Sequence, residues 1–135
     1  MGVLYTIGYQ DRQIDEFIDM VAGHRIEVVL DVRASPFSFK RGFNWYELKN
    51  RFNEIGVRYI NVPSLGVPKD KRADFKTEYP KILEEGFYMV WQVIQIVRRA
   101  LSVLVCYERV PSDCHRGILA DYIKDKVFGV VVRHL

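Results

Sequence analysis

Ser102-Val-Leu-Val-Cys106-Tyr-Glu108-Arg-Val-Pro111-Ser-Asp-Cys114-His115-Arg116 decides how the rest of the chain is read. Ser102 to Cys106 carries no polar alternation, as expected of a strand buried on both faces. Pro111 and Ser112 then look like the start of a helix, with Ser112 at the N-cap and the helix running to about Lys126. A buried strand that hands over to a helix is the repeating unit of a parallel sheet.

The same alternation extends outward in both directions. Val3 to Ile7 reads as a strand that stops at Gly8. Ile14, Phe17, Ile18 and Val21 recur at helical spacing, which predicts a helix over 12–22 ended by Gly23. Ile26 to Val32 is a second buried strand. Trp45, Leu48, Phe52 and Ile55 place a helix over 45–55, and Gly56 closes it before a third strand over 57–62. Pro63 to Pro68 is a loop, and 72–79 is a short helix with a basic outside. A long apolar helix follows over 82–100, broken near Gly86. Val130 to Arg133 is a last strand. The pattern predicts an α/β single domain over 1–135, with a mostly parallel sheet of about five strands flanked by helices. An α+β domain with antiparallel pairs is the alternative, and the pattern does not give strand order.

The 135 residues suit one domain, and 49% of them are hydrophobic, enough for a core. A net charge of +3 permits an anionic partner without requiring one. The first residues lack the pattern of a secretory signal, and the apolar run from Phe87 to Val97 is too short to cross a bilayer. The expectation is therefore a cytoplasmic protein with no membrane partner. Two cysteines are too few for a disulfide scaffold.

In open parallel sheets, ligands bind beyond the carboxyl ends of the strands. Those ends carry Gly8 and Tyr9, then Asp31 and Arg33, then Pro63, Ser64 and Gly66, then Cys106, Tyr107 and Glu108. Asp31 and Arg33 share a face of their strand, as do Cys106 and Glu108. A buried Asp31 needs a partner, and either Arg33 or Arg116 would serve. A purely structural ion pair is an equal reading.

Cys114, His115 and Arg116 would sit in the first turn of a helix, where the dipole favours anions and lowers a thiol pKa. Arg116 offers a forked contact to phosphate or carboxylate, and His115 an acid or base. Glu108 could orient His115 or take a proton itself. Three other readings share these residues. One is a zinc site from Cys106, Cys114, His115 and His134, whose spacing fits no common finger. Another is a reversible disulfide between the cysteines. The last is a structural tie of Glu108 to Arg116. The Cys-x5-Arg loop of phosphatases is absent: six residues past Cys106 stands Ser112, and six past Cys114 stands Ala120.

Phe37, Phe39, Lys40, Arg41, Phe43, Trp45 and Tyr46 interleave aromatic and basic types, as nucleic-acid binders do so that bases stack and phosphates pair. The competing reading folds these aromatics into the core. Lys69, Lys71, Arg72 and Lys76 add a second basic stretch, which reads as a solvated face or, with the Phe37–Tyr46 loop, as a nucleic-acid contact.

Several of these residues carry a resemblance to a known family. Thr6-Ile7-Gly8-Tyr9, Asp31-Val32-Arg33 with Pro36 and Ser38, Tyr59, Leu65-Gly66, Cys106-Tyr-Glu108 with Pro111, Cys114-His115-Arg116, and His134 together resemble domain of unknown function 488. The match runs nearly end to end, and Val67 departs from it where the family usually has a second glycine. The resemblance implies a small prokaryotic α/β domain with no settled activity. It singles out Asp31, Arg33, Cys106, Glu108, Cys114, His115 and Arg116.

The resulting expectation is an enzyme acting on an anionic substrate, a phosphate-bearing small molecule, nucleotide or nucleic acid. Cys106, Glu108, Cys114 and His115 would be catalytic. Tyr9, Asp31, Arg33, Ser38 and Arg116 would bind the ligand, with no metal and no cofactor. The alternative is a nucleic-acid- or anion-binding module without chemistry. A third reading leaves the signature only a structural role.

Overall fold

Residues 2–135 are described by a computed structural model. The buried apolar runs form five strands, β1 (Gly2–Gly8), β2 (Val28–Asp31), β3 (Arg58–Asn61), β4 (Ser102–Cys106) and β5 (Val130–His134). All pair in parallel, in the order β3-β2-β4-β1-β5. Five helices connect them: α1 (Ile14–Gly23), α2 (Trp45–Glu54), α3 (Phe75–Glu85), α4 (Phe87–Arg99) and α5 (His115–Lys126). The α/β reading holds, and no antiparallel pair occurs among the described strands. No helix is long and apolar enough to cross a membrane.

Strand order decides which face each helix covers. The chain steps one way from β1 to β2 to β3, then back through β4 to β5. Right-handed crossovers therefore put α1 and α2 on one face and α3, α4 and α5 on the other. Period-two alternation in the strands fills both sides. Leu4, Val28, Leu30, Leu104 and Cys106 join the core under α3–α5. Ile7, Val29, Val103 and Val105 join the core under α1 and α2, with Phe17, Phe43 and Phe52.

Adjacent β1 and β4 thus send their chains to opposite faces, and so do adjacent β2 and β4. Such reversals open a crevice at the carboxyl edge of a sheet.

Three helix boundaries differ from the sequence reading. The first helix begins at Ile14, because Arg12 turns inward and its Nε donates to the Gly8 carbonyl at 2.9 Å. The short basic helix is a 3-10 turn over Lys69–Asp74 that leads directly into α3. Ser112 is not an N-cap. Pro111–Asp113 closes a separate 3-10 turn, with the Cys114 amide donating to the Pro111 carbonyl at 3.2 Å. Cys114 itself, in extended conformation, takes the N-cap position of α5. The break expected near Gly86 is present, between α3 and α4.

Candidate functional site: a sulfur pair on a cleft wall

Cys106 ends β4 and Cys114 precedes α5, eight residues apart in the chain. The loop between them returns the chain to the sheet edge, and the two sulfurs are bonded, S–S 2.08 Å. The sequence alone left this pairing open against zinc and a purely structural role. Both cysteines are buried, yet they line a cavity of about 280 Å³ with Tyr9, Arg33, Phe37, Val67, Arg72, Phe75, Glu108, Asp113 and His115.

Arg116 lies beneath the pair with no solvent exposure. Its Nε donates to Thr6 Oγ1 at 3.1 Å and its Nη1 to Cys106 Sγ at 3.1 Å. Nη1 also reaches the Glu108 carbonyl, and Nη2 the Arg109 carbonyl at 3.1 Å. Thr6 accepts from Arg116 and so turns its own proton toward His134 Nδ1, at 2.6 Å. No carboxylate forms an ion pair with Arg116 among the described residues. Burial lowers its pKa to about 10, which still leaves it cationic at neutral pH.

His115 packs edge-on against Tyr79 and donates from Nε2 to the Val32 carbonyl at 2.8 Å. That bond leaves Nδ1 as the acceptor, 3.7 Å from Cys114 Sγ. Val32 therefore orients the ring, and Glu108 does not. Burial lowers the His115 pKa to about 4, so the ring is neutral near pH 7 and can accept a thiol proton.

The depressed pKa carries a stability cost in acid. Both states are neutral above the ordinary value near 6.5, and the unfolded chain takes up the proton first as pH falls. Stability should drop by about 3 kcal/mol between roughly pH 6.5 and 4. Urea midpoints at the two pH values, compared with those of His115→Gln, isolate the effect. An equal drop in both proteins would contradict it.

Asp31 and Arg33 do not join the sulfur pair. Asp31 faces the other side of the sheet, fully buried, and Arg33 Nη2 meets its Oδ2 at 2.6 Å. Arg33 Nε also bonds the carboxylate, while Nη1 donates to the Phe43 carbonyl at 2.7 Å and to Tyr9 Oη at 3.3 Å. Burial opposes its charge, but the Asp31 hydrogen bonds and charge outweigh that and raise its pKa. Tyr59 donates its hydroxyl to the same carboxylate. The partner of Asp31 is thus Arg33 and not Arg116. Arg33 touches the cavity with most of its donors already engaged.

Tyr9 is held flat on Phe43, ring centroids 4.4 Å apart. Ser38 stands away from the sulfur cavity, in an adjoining groove, and its Oγ accepts from the Lys40 amide. Sequence reasoning missed Arg72, read as solvated face, and Tyr59 as a partner of Asp31. Tyr59 had a readable signal, a hydroxyl on a strand beside a buried acid. Arg72 had none, since only the 3-10 turn at Lys69–Asp74 brings it to the cavity wall.

Two glycines permit these close approaches. A Cβ on Gly8 would stand 1.8 Å from the Glu108 carbonyl oxygen, and one on Gly66 2.1 Å from the Ala34 amide nitrogen. Gly8→Ala should therefore push the Glu108 carbonyl off Arg116 and destabilise the domain by about 1–3 kcal/mol. A denaturation midpoint unchanged from wild type would refute this.

The Sγ atoms of Cys106 and Cys114 and a ring nitrogen of His115 lie within 4.8 Å of one another, the separation that metal ligands need. While the sulfurs are bonded to each other they are not thiolates, and only thiolates ligate. The model of the family described as Domain of unknown function DUF488 matches residues 13–123. No curated protein and no solved structure matches the chain.

Proposed function

The chain belongs to the DUF488 family, and from that premise and the site's geometry we propose that it is an enzyme whose Cys106 thiolate acts on an anionic substrate. The family description names no activity, so the reading rests on chemistry. One observation carries it: a buried guanidinium that forms no ion pair with a carboxylate among the described residues donates to the Cys106 sulfur on a cavity wall. A cation at that distance stabilises thiolate over thiol.

The bonded pair is the resting form in this reading. Two equivalents of a small-molecule thiol reduce it, becoming a disulfide as Cys106 and Cys114 gain two electrons and two protons. Cys106 then ionises beside Arg116. Cys114 keeps its proton, hydrogen-bonded to the neutral His115 Nδ1. Cys106 Sγ forms a bond to the substrate's electrophilic centre as the leaving group departs with its electron pair.

Arg72 is the anion contact in this scheme. Its Nε is engaged with the Val67 carbonyl at 3.3 Å, and its terminal nitrogens are free to meet a phosphate or carboxylate. Arg33 and Arg116 act from within the wall, by field and by position. Glu108 lines the same cavity and remains available to move a proton at the leaving group.

Alkylation of the reduced protein across pH tests the proposal. Cys106 should react with iodoacetamide with a pKa below the ordinary value of about 8.5. Inorganic phosphate should slow that reaction, and Arg72→Ala should abolish the protection. Both thiols titrating at or above the ordinary value, unreactive in the native state, would remove the nucleophile.

A further inference from the structure

The loop of alternating aromatic and basic residues divides in the fold. Phe43 is fully buried between Tyr9 and Phe17. Phe37 is 64% exposed, Tyr46 49%, and Phe39 wholly so. Core packing therefore explains Phe43 and leaves three aromatic rings in water. Those rings are not scattered. Phe37, Phe39 and Tyr46 line one groove of about 1080 Å³ with Ser38, Lys69 and Arg72.

That groove is continuous with the sulfur cavity. Ala34, Ser35, Phe37 and Arg72 line both. Among the described residues, the charged ones on its walls are the cations Lys69 and Arg72. Its volume is several times that of the sulfur cavity, so it accommodates a ligand that extends well beyond the reacting group.

We propose that this groove binds single-stranded nucleic acid, with Phe37, Phe39 and Tyr46 as stacking platforms, Lys69 and Arg72 on the phosphates, and one nucleotide led into the sulfur cavity. Exposed aromatics offer a face that any unstacked base can cover, and two cations in an acid-free groove complement a phosphate chain. A duplex keeps its bases stacked on one another and cannot use the rings. The inference rests on the thiol reading only for what happens to the nucleotide in the cavity. The groove itself is independent of it.

Fluorescence anisotropy of the full chain with a labelled oligothymidylate of about a dozen nucleotides tests it. Binding is expected at low salt, weakening as salt rises. Phe39→Ala or Phe37→Ala, both at exposed positions, should each weaken it by roughly five- to 150-fold, the range that stacking on one ring supplies. Arg72→Glu should weaken it and flatten the salt dependence. A wild-type protein that binds the strand while its reduced thiols stay unreactive in the native state would sink the thiol reading alone. No binding at low salt, affinity indifferent to both Phe variants, equal affinity for duplex, or equal affinity for thymidine monophosphate would each overturn the groove.

Discussion

Arg116→Ala should cost the domain about 3–5 kcal/mol. Arg116 is the largest of the fully buried side chains, and it donates to four separate acceptors. Truncation empties that volume and leaves the Glu108 and Arg109 carbonyls without a donor. Both hydrogen bonds are only part-buried, so water can replace part of what these carbonyls lose, and most of the cost comes from the emptied volume and from Thr6 and Cys106. The thiol supplies a readout that a merely structural role would not move. Arg116→Met, close in volume, should raise the Cys106 alkylation pKa to the ordinary value or above, while Arg116→Lys should return it part of the way down. Urea unfolding within about 1 kcal/mol of wild type would contradict the structural claim. Identical alkylation profiles in all three proteins would contradict the electrostatic one.

Asp31→Ala should be of similar size, about 3–5 kcal/mol, for a different reason. The carboxylate is fully buried and answers both Arg33 and the Tyr59 hydroxyl. Removing it strands a cation that is only 6% exposed. Removing both charges should hurt less than removing one, because a buried ion pair is costly to desolvate in the first place. Asp31→Leu with Arg33→Met should therefore unfold at higher urea than Asp31→Ala alone. A double variant no more stable than the single would show that Arg33 contributes through Phe43 and Tyr9 rather than through the pair.

The two arginines divide the work of the cleft. Arg33 braces the exit of β2 against the aromatic pair Tyr9 and Phe43. Arg116 braces the exit of β4 and places a positive charge on a sulfur. Neither is well placed to meet a ligand in solution, and both fix residues that are. Arg72, on a 3-10 turn with its terminal nitrogens free, suits the contact itself. In this arrangement a buried, hydrogen-bonded charged layer sits under an exposed one.

The strands and helices were legible in the sequence because their signals are local. Uninterrupted apolar runs mark strands covered on both faces, and residues at helical spacing mark one-sided helices. The N-cap of α5 is Cys114 rather than Ser112, two residues later than the sequence pattern placed it, because a proline and a serine open a 3-10 turn as readily as an α-helix. The strand ends that border the cleft were also legible, since polar residues that follow a buried run must leave the sheet there. Tertiary structure decided the rest. Strand order set β4 beside β2, and a register that pairs Asp31 with Val105 then put Cys106, one residue on, on the opposite face from Asp31. Residues that look like one cluster in the sequence became two: a sulfur pair over Arg116, and an ion pair under Tyr9. Linear spacing states which side chains are present and which face of a strand they share. Which charge meets which sulfur depends on how strands far apart in the chain lie side by side, and that is fixed only when their apolar faces are buried together.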